Sequence, residues 1–184
     1  AKFMVMALVF YAAATTEGSL MAVKTVNSLS HYTDWTVAHV HSGAIGWVAM
    51  ITIGSLYAMA PRALGRPAMH SKRSMELHFW MHTAGLILYV AAMWTAGVTE
   101  GLMWRATDAN GALIYPFIDS LIAVRPFYLI RFLGGLLIVG GMIVMAWNLW
   151  HTAADARARL IKPIPVPIPE PEPLQVPAPV AARA

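Results

Sequence analysis

The residues Ala38-His39-Val40-His41-Ser42 lie inside the run Thr36–Ala60, which carries no Asp, Glu, Lys or Arg. Roughly 20 apolar residues cross the hydrocarbon core of a bilayer, so this run is long enough to span one. Three further stretches reach the same length: Phe3–Val23, Leu77–Thr99 and Phe127–Trp150. Lipid offers backbone groups no hydrogen bonds, so each stretch is expected to be a helix. The sequence therefore predicts an all-α membrane protein with spans at about 3–23, 36–60, 77–99 and 127–150. The composition agrees, with 58% hydrophobic residues, 12% charged residues and a mean hydropathy of +0.58.

Pro61 is expected to end the second span and Pro126 to open the fourth, where its missing N–H costs little. Asp108-Ala109-Asn110-Gly111 marks a turn in the 100–126 loop, whereas the 24–35 loop is short. Residues 1–162 form the membrane region, and 163–184, with proline at alternate positions from Pro163, read as an extended, disordered tail. The opening Ala1-Lys2-Phe3 lies almost inside a span, so the chain reads as a portion of a longer one.

The net charge of +4 is distributed unevenly. Arg62, Arg66, Lys72 and Arg73 stand together without an acid among them, and Arg157, Arg159 and Lys162 follow the last span. On the other side Lys24, Arg105 and Arg125 are diluted by Asp34, Glu100, Asp108 and Asp119. By the positive-inside rule both termini are expected in the cytoplasm. The basicity is thus an orientation signal, and no nucleic-acid partner is expected. The absence of cysteine excludes disulfides, thiolate clusters and covalently attached c-type haem.

Two residues along an α-helix correspond to about 200° of rotation, so His39 and His41 leave opposite flanks. They cannot share one metal ion, but each can serve a flat cofactor on its own side. Counted at 1.5 Å per residue, His39, His41, Glu17 and Arg131 all fall roughly 5–9 Å below the same end of their spans. Asn27, His31, Asp34 and Glu100 rim that side. Ionisable groups inside a membrane are rare enough to be functional hypotheses. The layer suggests a partly charged site, with imidazoles as metal ligands and Arg131 as partner to an anion.

Plainer readings exist for each group. A membrane histidine often only bonds a neighbouring helix, Glu17 could do the same, and Arg131 could snorkel. His78 and His82, at i and i+4, have a spacing that can bind a metal, yet they lie at the far end and read as interfacial. Met and Trp at helical spacing read as packing or interfacial belt. Zinc fits poorly, because opposed imidazoles give no shared tetrahedral site. Haem fits well, since imidazole is an ordinary axial ligand and arginine can neutralise propionates.

The stretch Glu17-Gly18 and Lys24–Ala44, with His78-Phe79-Trp80, Met93-Trp94, Gly101–Ala106 and Asn148-Leu149-Trp150, resembles subunit I of cbb3-type cytochrome c oxidases. The resemblance covers nearly all of 1–152 and implies the last four helices, nine to twelve, of a twelve-helix core. It implies His39 as proximal ligand of high-spin haem b3 and therefore a catalytic residue. It implies His41 as one ligand of low-spin haem b, and Glu17 as a residue tuning the proximal side. Asn27, His31 and Asp34 match the loop above the haems, and Arg131 is a candidate propionate contact.

The expected function is that of such a subunit within a bacterial inner-membrane complex. That complex would reduce oxygen with electrons from cytochrome c, relayed by c-type haem subunits, and pump protons. The second haem b ligand and the histidines holding copper B would belong to the rest of subunit I. Ser19, where proline is expected, and His82, where an apolar residue is expected, depart from the family pattern. Three alternatives remain: a nitric oxide reductase large subunit, a di-haem b anchor linked to quinone, and a non-redox structural subunit, which bound haem would exclude. The Lys24–Asp34 segment favours the oxidase. Spans one and four carry no histidine to build the anchor's ligand pairs.

Overall fold

The computed structural model describes residues 1–161, so the proline-rich segment 163–184 lies outside the described residues. Among the described residues the chain is helical apart from its connections: α1 (Lys2–Met21), α2 (Lys24–Ser30), α3 (Asp34–His41), α4 (Met50–Ala63), α5 (Lys72–Trp104) and α6 (Phe117–Ile161). A π-helical segment, Ser42–Ala49, joins α3 to α4 without a break. The four long apolar helices expected from the sequence are therefore present, with α3, the π segment and α4 forming one of them.

Their limits differ from expectation in an instructive way. The fourth helix begins at Phe117, and Pro126 lies inside it rather than opening it. Likewise Pro61 sits within α4, which continues to Ala63. A proline removes only one N–H, so each helix loses a single ladder bond and continues. The short 24–35 connection holds a helix of its own, α2, followed by Tyr32 at a positive φ of 64°. The 108–111 turn forms as expected, with the Asp108 carboxylate accepting from the amides of Asn110 and Ala112.

Local chemistry starts the helices. The Thr33 hydroxyl accepts from the Trp35 amide ahead of α3, and the Ser71 hydroxyl accepts from the Ser74 amide ahead of α5. α5 packs chiefly on α6, while α1 packs on the π segment and α4. Gly85 and Gly134 bring the α5 and α6 backbones together. A Cβ on either would lie 2.6 Å from the other's carbonyl oxygen. Close backbone approach of this kind is how helices gain contact in lipid, where no hydrophobic force drives them together.

The basic end is tied by side chains. Ser71 and Asn148 exchange two hydrogen bonds of 2.9 Å, and Asp155 pairs with Arg66 and His70. His78 and His82 are not interfacial, as their position near a helix end suggests, but fully buried. Phe3 and Tyr57 pack on the His78 ring, and Gly141 of α6 leaves space beside it. Their neighbours, not their depth, decide their surroundings.

Candidate functional site

The polar layer inferred from helix depths is a connected set of side chains at the α3 start. Arg131 of α6 lies 3.5 Å from Asp34, whose amide donates to the Glu100 carboxylate at 2.8 Å. The next residue, Trp35, donates its indole N–H to Glu17 Oε1 at 2.8 Å, and Glu17 Oε2 faces His39 Nδ1 at 3.4 Å. Elements distant in sequence thus converge on α3. The contact that permits this is Gly97 of α5, where any Cβ would overlap the backbone of Trp35.

His39 and His41 point to different neighbours, as their spacing requires. His39 faces α1: a Cβ on Gly18 would stand 3.1 Å from its Cε1 and 3.4 Å from its Nε2. His41 faces α5, its ring 5.3 Å from that of Tyr89. Each has its Nδ1 engaged. The Val37 carbonyl takes the Nδ1–H of His41 at 2.8 Å, and the Glu17 carboxylate takes that of His39. Carbonyl and carboxylate oxygens accept only, so both rings are held with Nε2 free to ligate. Metal-binding histidines are oriented in this manner, by an oxygen acceptor on the other ring nitrogen.

The His39 flank also has space. A cavity of about 570 Å³ is bounded by Gly18, His39, Gly43 and Trp47. A second cavity, of about 390 Å³, is bounded by Tyr89, Tyr128, Arg131 and Gly135 and does not reach His41. Gly18 and Gly43 leave room beside His39, and among the described residues nothing stands within 4 Å of where a Gly43 Cβ would be. The donor set and this cradle fit a haem on the His39 flank. On the His41 flank Arg131 stands over the rings of Tyr89 and Tyr128, with a cation available to an anionic edge. The π segment begins directly after His41, and such segments are frequent at functional sites.

Not every candidate joins. Asn27 and His31 remain exposed on α2 and at its end, and His31 stacks only on Tyr32, 4.0 Å away, among the described residues. Glu100 is more deeply placed than a rim residue, with 8% exposure. One participant escaped the sequence reading, which took tryptophans as packing. Trp94 donates its indole N–H to Glu17 Oε1 at 2.6 Å. The only hint in the sequence was that Trp94 lies within an apolar span near the level of Glu17.

A helical membrane protein with His-x-His in its polar layer carries a donor set that suits a haem-binding chain. The family model for cytochrome c and quinol oxidase polypeptide I matches residues 1–137, and the chain belongs to that family. It is 51% identical to the cbb3-type cytochrome c oxidase subunit CcoN1 of Stutzerimonas stutzeri over 156 residues, covering 85% of this chain and 33% of that protein. It is 50% identical to a cytochrome c oxidase subunit 1 homologue of Azorhizobium caulinodans, covering 84% and 28% respectively. A nitric oxide reductase polypeptide of Stutzerimonas stutzeri is 26% identical, covering 71% of this chain and 28% of that protein. The chain spans about a third of the length of the oxidase relatives it matches. The resemblance to cbb3-type subunit I is borne out.

Proposed function

We propose that this chain supplies the His39–His41 part of the catalytic subunit of a cbb3-type cytochrome c oxidase. In this reading His39 is the proximal ligand of high-spin haem b3 and His41 an axial ligand of low-spin haem b. The observation that carries it is the way the two rings are held. Both imidazoles have Nδ1 held by an oxygen acceptor and Nε2 left available, on opposite flanks of one helix. When bound, the haems would supply electron transfer and oxygen binding. The chain's own residues orient the ligands, and Glu17 raises the basicity of His39. Arg131 with Asp34 provides polar contacts at the His41 flank, and Asn27 and His31 lie on the loop side of the same layer.

The remaining haem b ligand and the copper B histidines would come from the rest of subunit I, and electrons from cytochrome c through c-type haem subunits. The whole complex would reduce oxygen to water and pump protons in a bacterial inner membrane. The basic group Arg62, Arg66, Lys72 and Arg73 supports cytoplasmic termini. The higher identity to oxidase subunits than to nitric oxide reductase favours oxygen as substrate.

The test is spectroscopic, on the intact complex. His39→Ala should abolish the high-spin haem that binds carbon monoxide, and His41→Ala should chiefly remove the low-spin signal. Either variant leaving both haem spectra unchanged would overturn the assignment.

A further inference from the structure

We propose that Trp94, together with Trp35, is a positioning residue that aims Glu17 at His39. The inference rests on His39 being the ligand of the high-spin haem. The Glu17 carboxylate has two oxygens with different work. Oε1 receives two indole N–H groups, from Trp35 at 2.8 Å and from Trp94 at 2.6 Å, and Oε2 faces His39 Nδ1 at 3.4 Å. An indole nitrogen donates and never accepts, so both tryptophans give Oε1 a hydrogen bond. Hydrogen bonds to an ionised acceptor are roughly twice as strong as neutral ones. Two of them on one oxygen fix the carboxylate plane and leave the second oxygen directed at the imidazole.

The surroundings make these donors necessary. Beside Glu17 lies a cavity of about 600 Å³ whose wall is mostly apolar, with Ala12, Ala13, Leu20 and Val98, and with the Thr16 hydroxyl beside the two indoles as its other polar group. A carboxylate against such a wall is costly unless its oxygens are bonded. The two donors also come from separate helices, α3 and α5, while Glu17 is on α1. Gly97, one turn beyond Trp94, lets α5 approach Trp35 closely enough for both indoles to reach the same oxygen. The direction of the Glu17 carboxylate, and through it the basicity of the His39 ring, is therefore set by how three helices pack. A tryptophan serving only as an interfacial belt would send its N–H to the headgroups. Trp80, 60% exposed on the same helix, is a suitable control.

The experiment uses the intact complex carrying Trp94→Phe, Trp35→Phe, Glu17→Gln, the Glu17→Gln/Trp94→Phe double variant, or Trp80→Phe. The readouts are haem content, the iron–histidine stretching band of the reduced high-spin haem, and its midpoint potential. Trp94→Phe is expected to keep the haem, lower the band frequency and raise the potential, in the same direction as Glu17→Gln. The double variant should shift no further than Glu17→Gln alone, because Trp94 acts through that carboxylate. Trp80→Phe should match the unsubstituted complex.

Unchanged band and potential in Trp94→Phe with haem retained, a shift in the opposite direction, or additive shifts in the double variant would overturn the proposal. Should Trp94→Phe not accumulate, Trp35→Phe decides by the same criteria. A band that survives His39→Ala would instead overturn the ligand assignment, so the two failures are distinguishable.

Discussion

Two histidine pairs stand in this chain, and the pair with the more familiar metal-binding spacing is the more deeply buried one. His78 and His82, four residues apart, share one face of α5, with ring centroids 5.6 Å apart. Both are buried, His78 against Phe3 and Tyr57 and both beside Gly141 of α6, and among the described residues His78 Nε2 and His82 Nδ1 have no hydrogen-bond partner. His39 and His41, two apart, are half-buried with Nδ1 bonded in each, and His39 borders a cavity. Spacing tells which side chains can meet. What lies beyond the unbonded nitrogen, packed core or cradle, tells what they can do.

The largest effect should come from breaking the outer pair without touching it. Gly97→Leu places a side chain where α5 meets the Trp35 backbone, and backbone cannot yield as a flexible side chain would. Trp35, Asp34 and Glu17 then lose their common packing. Reduced-minus-oxidised spectra of membranes should show both haem signals lost, with less protein accumulating. Normal spectra would mean that the outer layer does not depend on this contact.

Much of that layer was legible before any coordinates. Counting residues from helix ends places Glu17, His39, His41 and Arg131 at one depth, because helical rise is fixed. The rotation between His39 and His41 follows from the same geometry. What sequence could not give is set by neighbours distant along the chain. The two indoles on Glu17 need the Gly97 contact, and the burial of His78 and His82 needs Phe3 and Gly141. The π segment after His41 is likewise invisible in residue types that suit an ordinary helix. Proline misled for a simpler reason. Pro61 and Pro126 each remove a single bond from helices long enough to continue.

A medium effect is expected at His78. Its ring fills space among Phe3, Tyr57 and Gly141, and its Nδ1 is 2.8 Å from the Tyr57 hydroxyl. His78→Ala leaves a cavity and a buried hydroxyl without its partner, a loss of about 2–4 kcal/mol. Thermal unfolding of the detergent-solubilised complex should show a lower midpoint, while the haem spectra of the remaining folded protein stay normal. Loss of a haem signal at unchanged stability would give the inner pair a ligand role and erase the contrast with His39.

The smallest effect should fall on His82, and its sign sharpens the comparison most. Its Nε2 lies 3.5 Å from the Ile45 carbonyl, a weak bond, while its buried Nδ1 has no partner among the described residues. Leucine is close in volume, removes the unpaired nitrogen and forfeits only that long contact. Removing a buried nitrogen that has no partner relieves its desolvation cost, which offsets the loss of a long, weak contact. His82→Leu should therefore leave the midpoint within about 1 kcal/mol of the unsubstituted complex, or raise it. The contrast with His41 is then one of bonding. There the Nδ1–H is held by Val37 at 2.8 Å and the free nitrogen faces away from it, so leucine at position 41 should keep the helix and lose the low-spin haem. A large destabilisation in His82→Leu would show that the inner pair is held by polar contacts after all, and the two pairs would differ in position rather than in kind.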